Sequence, residues 1–121
     1  MQMPSPDKAI LNNRSHIIAQ LRAALPAECV IDDKRETKAY ECDGLSAYRC
    51  PPLAVVLPRT TEEVAAILKT CHNMSVPVVP RGSGTSLSGG ALPTQDCVIL
   101  GVSRLNAILE TDYDNRFIRV Q

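Results

Sequence analysis

The chain has 121 residues, enough for one small domain. Thirteen basic and thirteen acidic side chains balance, so nothing in the charge favours nucleic acid or an anionic membrane surface as a partner. Aromatic residues make up only 3%, which argues against base-stacking platforms, and no apolar run approaches the ~20 residues of a membrane span.

Residues 1–15 lack a basic region followed by an apolar core, so no secretory signal is expected. Asp7–Leu25 predicts a helix: Ile10, Ile17, Ile18, Leu21 and Leu25 fall largely on one face, and Pro26 follows the end. Cys29–Asp32 reads as a short extended piece. Asp33–Arg49 is charged and irregular, and reads as a solvated connection. Pro51 and Pro52 open the run Leu53–Leu57, a buried strand by its β-branched content. Thr60–Glu63 has the form of a capping box, with Thr60 at the N-cap and Glu63 at N3. The helix that follows would present Val64, Ile67, Leu68 and Cys71 as an apolar stripe and end near Asn73–Ser75.

Val76–Val79 is the next strand. Strand, helix and strand in ~30 residues form a βαβ unit, so these two strands should be parallel. Cys97–Val102 is a third apolar strand, Leu105–Glu110 a short fourth, and Phe117–Val120 a last one. The chain stops inside this last strand with no turn or polar tail, as if cut within a sheet. Its open, partly apolar edge is expected to pair with another copy through Asn115–Gln121. The five cysteines, Cys29, Cys42, Cys50, Cys71 and Cys97, are odd in number and form no C-x-x-C pair. They suggest neither a disulfide framework nor a zinc or iron–sulfur site, and fit a reducing cytoplasm. Cys71 and Cys97 lie in apolar patterns and are expected in the core.

The most informative stretch is Val76–Pro93, a strand that runs into a Gly/Ser/Thr loop. Gly82, Gly84, Gly89 and Gly90 are four of the six glycines, and they alternate with Ser83, Thr85, Ser86 and Ser88. Hydroxyls can donate hydrogen bonds, and successive backbone N–H groups in such a turn form a concave nest for an anion. Phosphate or pyrophosphate is the natural occupant, so a nucleotide-type cofactor is the leading expectation. Gly84 and Gly89 have Walker A spacing, but Gly90-Ala91 stands where Lys-Ser/Thr is required, which argues against an ATPase. Gly82 and Gly84 begin a dinucleotide fingerprint, but Leu87 occupies its third glycine position.

The loop, its strand and the upstream Pro51–Leu68 segment resemble the FAD-linked oxidases of the vanillyl-alcohol oxidase / p-cresol methylhydroxylase (PCMH) type. The resemblance extends over Glu41–Arg49 and Arg81–Pro93 and covers most of the chain, from about Leu25 to Gln121. Within that family it is similar to the flavin subunits that oxidise small 2-hydroxy acids, glycolate before D-lactate or D-2-hydroxyglutarate. The resemblance implies an α+β fold, the first FAD-binding subdomain of the PCMH type, with a small, mostly parallel sheet flanked by helices. Residues 1–50 would supply an N-terminal helix and a connecting segment. Residues 51–121 would form the pyrophosphate-binding part of a domain incomplete at its C-terminus.

The resemblance further implies that Arg81–Ser86 and Ser88–Gly90 contact the FAD pyrophosphate, mostly through backbone N–H groups, with Pro80 fixing the approach of the strand. The Arg81 side chain has two readings, direct FAD contact or an ordinary surface ion pair. Some relatives attach FAD covalently to a histidine in this loop; Thr85 stands in that region here, and His16 and His72 fall on predicted helices, so non-covalent FAD is implied. Asp43 reads as an Asx-turn with Gly44 in a segment expected to fold over the domain near the flavin. No catalytic residue is expected in this chain, and no turnover from it alone. Companion subunits, one of them iron–sulfur, and an association with the inner membrane through them follow only from the resemblance. The alternative from the residues themselves is a stand-alone anion- or nucleotide-binding module without redox function.

Overall fold

The computed structural model describes residues 3–121. Two helices open the chain, α1 (Lys8–Asn12) and α2 (Arg14–Ala24). The expected single helix is interrupted at Asn13, whose φ of −92° and ψ of 9° leave the helical region. Asp7 caps α1 by accepting from the Ala9 amide at 2.7 Å. Past α2 the chain makes a 3-10 turn over Ala27–Cys29 and enters β1 (Val30–Ile31).

The stretch after β1 departs from the expected solvated connection. It contains α3 (Lys34–Thr37) and a 3-10 turn over Lys38–Tyr40. Asp33 caps α3 by accepting from the Arg35 and Glu36 amides. Asp33-Lys34-Arg35-Glu36 has capping-box spacing, a signal available in the sequence. Thr37 and Asp43 in this stretch are both buried.

Next come β2 (Ala54–Val56), α4 (Thr61–Asn73), β3 (Val78–Arg81) and β4 (Val98–Gly101). Thr60 caps α4 as its hydroxyl accepts from the Glu63 amide. The reciprocal carboxylate of Glu63 reaches one residue further back, to the Arg59 amide at 2.6 Å. Ile67 and Cys71 are buried on the inner face of α4, but Leu68 is 46% exposed, so the stripe is narrower than its spacing suggests. Ser75, at φ 55°, turns the chain out of the helix.

The main sheet has the order β1-β2-β4-β3. β1 is antiparallel to β2, whereas β2 and β3 each pair in parallel with β4. The two strands of the βαβ unit are therefore parallel, as expected, but β4 lies between them. This leaves β3 at the edge, where Pro80 costs no ladder bond. Residues 1–50 share this sheet through β1, and α2 packs on α4.

Side-chain alternation along β2 and β4 sorts the core by face. Ala54, Val56, Val98 and Leu100 meet Ile17, Ile18, Leu21, Ile67 and Cys71 from the helices. Val55, Leu57, Cys97 and Ile99 point the other way, where Ile31, Tyr40 and Val79 pack against them. The helices thus cover one face, and the 33–50 stretch reaches the opposite one through Tyr40. A separate antiparallel pair follows, β5 (Ile108–Asp112) and β6 (Phe117–Val120). Both strands exist as expected, with β5 displaced toward the C-terminus. Ile108, Leu109, Phe117, Ile118 and Val120 are all exposed.

Candidate functional site

The glycine loop leaves the C-terminal end of β3, the side of an open parallel sheet where ligands bind. Strand alternation puts Arg81 on the same face as Val79, the face that Tyr40 covers. Arg81 is consequently turned inward. Its Nη1 donates to the Cys42 carbonyl at 2.8 Å and the Ala91 carbonyl at 3.4 Å. Its guanidinium lies over the Tyr40 ring, 5.7 Å from the centroid. No acidic side chain among the described residues pairs with Arg81, so the surface ion pair reading does not hold.

Gly84 sits directly above this guanidinium. Its φ is 74°, and a Cβ there would overlap the Arg81 side chain. The positive φ favours glycine here, whereas the overlap is with the far end of a flexible side chain that can move aside. Gly89 also has a positive φ, 79°. Ser86 organises the second half of the loop: its Oγ accepts from the Gly90 amide at 3.0 Å and the Ser88 amide at 3.3 Å. The resemblance implies FAD contact at Ser88–Gly90; in this conformation the Ser88 and Gly90 amides donate to the Ser86 hydroxyl. The hydroxyls of Ser83 and Thr85 lie 3.4 Å apart. Among the described residues, the amides of Ser83, Gly84, Thr85, Ser86 and Leu87 donate to no acceptor in the chain. Ser83, Thr85 and Leu87 are exposed at the surface. No acidic side chain occurs between Pro80 and Gln95.

The segment before β2 forms the outer wall of this loop. Asp43 makes the expected Asx-turn, with Oδ1 accepting from the Leu45 amide at 2.9 Å. Its other oxygen accepts from the Ala91 amide at 3.3 Å, a bond across 48 residues that sequence reading missed. Gly44 lies so close that a Cβ would come within 2.9 Å of the Thr85 and Ser86 carbonyl oxygens. Tyr40, Cys42, Asp43, Gly44 and Ala91 thus belong to the site's framework. The Asp43-Gly44 pair signalled a turn, but nothing local signalled its long-range partner.

The remaining titratable groups offer no second centre. Burial pushes the Cys71 and Cys97 thiols up to about 11, so both stay protonated and unreactive at neutral pH. All five cysteines are free. His16 and His72 are exposed on α2 and α4. Among the described residues, no group of three or more His, Cys, Asp or Glu side chains could hold a metal. A cavity of about 420 Å³ lies elsewhere, lined among others by Arg14, Lys34, Leu53 and Gln95. The loop is a largely exposed run of backbone donors with no acidic side chain, and this chemistry suits a multiply charged oxyanion.

The model for "FAD binding domain" matches residues 52–121, which include both parallel strand pairs and the entire loop. The chain belongs to the FAD binding domain family. Glycolate oxidase subunit GlcD of Escherichia coli (strain K12) is 48% identical over 109 residues, covering 90% of this chain and 22% of that protein. A D-lactate dehydrogenase of Archaeoglobus fulgidus is 50% identical over 82 residues, covering 64% of this chain and 18% of its own length. This FAD binding domain therefore spans about a fifth of the curated relatives it matches.

Among solved structures, p-cresol methylhydroxylase with substrate bound superposes with a TM-score of 0.72 at 22% identity, over 89% of this chain and 21% of that one. 4-Ethylphenol oxidase from Gulosibacter chungangensis gives 0.74 at 21% identity, over 94% of this chain and 22% of that one. These likenesses show the α+β, PCMH-type fold. FAD is the cofactor of the family, and the free amides and positive-φ glycines of the loop fit its pyrophosphate. Among the described residues of this FAD binding domain, no helix is long and apolar enough to cross a membrane.

Proposed function

We propose that the Pro80–Gly90 loop holds the pyrophosphate of FAD, and that the chain is the cofactor-holding part of a flavoprotein that oxidises a small 2-hydroxy acid to the 2-oxo acid. The observation that carries the reading is the run of unengaged amides from Ser83 to Leu87 above the positive-φ turn at Gly84. Such donors favour a multiply charged anion without a side-chain cation. Bound FAD would supply the acceptor for the two electrons leaving the alcohol carbon. The residues here bind and orient; none acts on substrate. The Pro80–Gly90 loop holds no histidine, with Thr85 in the region where some relatives attach the flavin, which supports non-covalent FAD.

Glycolate is the first substrate class, from the 48% identity to a glycolate oxidase subunit. The 50% identity to a D-lactate dehydrogenase keeps D-lactate as the second reading. Companion subunits, including an iron–sulfur one, belong to the glycolate reading. Five free cysteines favour a reducing compartment, the cytoplasm or the cytoplasmic side of the inner membrane.

Titration calorimetry of the chain with FAD, ADP and adenosine tests the cofactor reading. FAD and ADP should both bind, with ADP within about tenfold of FAD because the shared pyrophosphate carries the contacts, and adenosine should not bind. A folded chain that takes neither FAD nor ADP overturns the assignment.

The apolar, exposed hairpin β5–β6 supports a second proposal, pairing of two copies along the Asn115–Gln121 edge. Sedimentation velocity should show a concentration-dependent dimer that Ile118→Lys abolishes. A monomer at all concentrations would eliminate this contact.

A further inference from the structure

We propose that Asp43 and Arg81 are positioning residues that set the shape of the glycine loop before a ligand arrives, with the Glu41–Gly44 segment as its fixed outer wall. The inference rests on the reading of the loop as a pyrophosphate site. Three independent contacts join segment and loop. The Asp43 carboxylate spans the Leu45 and Ala91 amides, one oxygen to each. Arg81 joins the Cys42 carbonyl to the Ala91 carbonyl from below. Gly44 rests against the backbone of Thr85 and Ser86.

The loop is thereby held at both ends. Arg81 supports its start under Gly84, and Ala91, gripped through both its N–H and its C=O, anchors its finish. Asp43 is only 6% exposed, and its bonds to backbone N–H groups are charge-assisted. A loop rich in glycine would otherwise lose much conformational entropy on closing around a ligand. Prior fixation removes that cost from binding.

Asp is required at this position by donor and acceptor count. Its two oxygens serve two amides, whereas asparagine offers one oxygen and sets an NH2 against the second N–H. Asp43→Asn should therefore keep the Asx-turn and lose the Ala91 bond. Gly44→Ala attacks the same wall without changing charge, by pushing Cβ against two backbone carbonyls.

The experiment is amide hydrogen exchange by NMR on the wild-type chain and both variants, with FAD titrated in parallel. In Asp43→Asn, exchange at the Ala91 amide should speed up at least tenfold, and the Ser83–Gly90 resonances should shift. The Val98–Leu100 amides should keep their protection, which a merely structural role would not predict. FAD affinity should fall on the order of tenfold in each variant, the size of one lost charge-assisted bond. Unchanged Ala91 exchange and unchanged FAD affinity in both variants would overturn the proposal, and so would equal loss of protection in the core. Should the wild type bind neither FAD nor ADP, the cofactor reading falls, while the exchange data still decide whether the wall holds the loop.

Discussion

Gly84→Val is expected to weaken FAD binding about a hundredfold, because a β-branched residue at positive φ carries ~1–3 kcal/mol of strain and its side chain would also displace Arg81. The φ of 74° and the overlap with the guanidinium act together. Arg81 can swing aside, but the strain at positive φ is relieved only by remodelling the loop around Ser83–Leu87. The loss should therefore appear in affinity, measured by calorimetry, with the circular dichroism spectrum unchanged. Gly82→Ala adds a Cβ that meets no protein atom within 4 Å, so a loss of affinity there would report contact with the ligand itself. Equal FAD affinity in Gly84→Val and wild type would sink the assignment of the loop.

Leu21→Ala should destabilise the fold by ~2–5 kcal/mol, as expected for a fully buried leucine. Leu21 is 0% exposed on α2 and lies in the same cluster as Ile67 of α4 and Val98 of β4. A domain of this size has ~5–15 kcal/mol of total stability, so the urea midpoint should fall by a large fraction. The reason is specific to the fold: α2 packs on α4 and β1, and its removal would open the cluster that holds Val30, Ile67 and Cys71. A loss below about 1 kcal/mol, the range of ordinary surface changes and mild truncations, would mean that residues 1–50 are not part of one core.

The relation of sequence to fold is uneven along the chain for physical reasons. Elements driven by local chemistry were readable. Thr60 with Glu63 located the start of α4, the β-branched runs located β2 and β4, and Pro26 marked the end of the first helical stretch. Asp43-Gly44 gave its turn. Leu68 was misplaced because helical spacing marks an apolar face but not how wide the covering sheet is. The 33–50 stretch was misjudged because its charge suggested water, while its folded position against Val55 and Ile99 buries Thr37 and Asp43 and engages Tyr40.

For the site the division is sharper. Glycine and hydroxyl residues in series after an apolar strand point to a turn able to offer clustered donors to an anion. Which amides stay available depends on contacts between residues far apart in the chain. Ser86 withdraws the Ser88 and Gly90 amides, Asp43 withdraws that of Ala91, and Arg81 turns inward because β3 is an edge strand whose alternation faces Tyr40. Local chemistry thus pointed to the kind of ligand we propose, and packing of the 41–44 segment against the loop decided which of its backbone groups are already bonded.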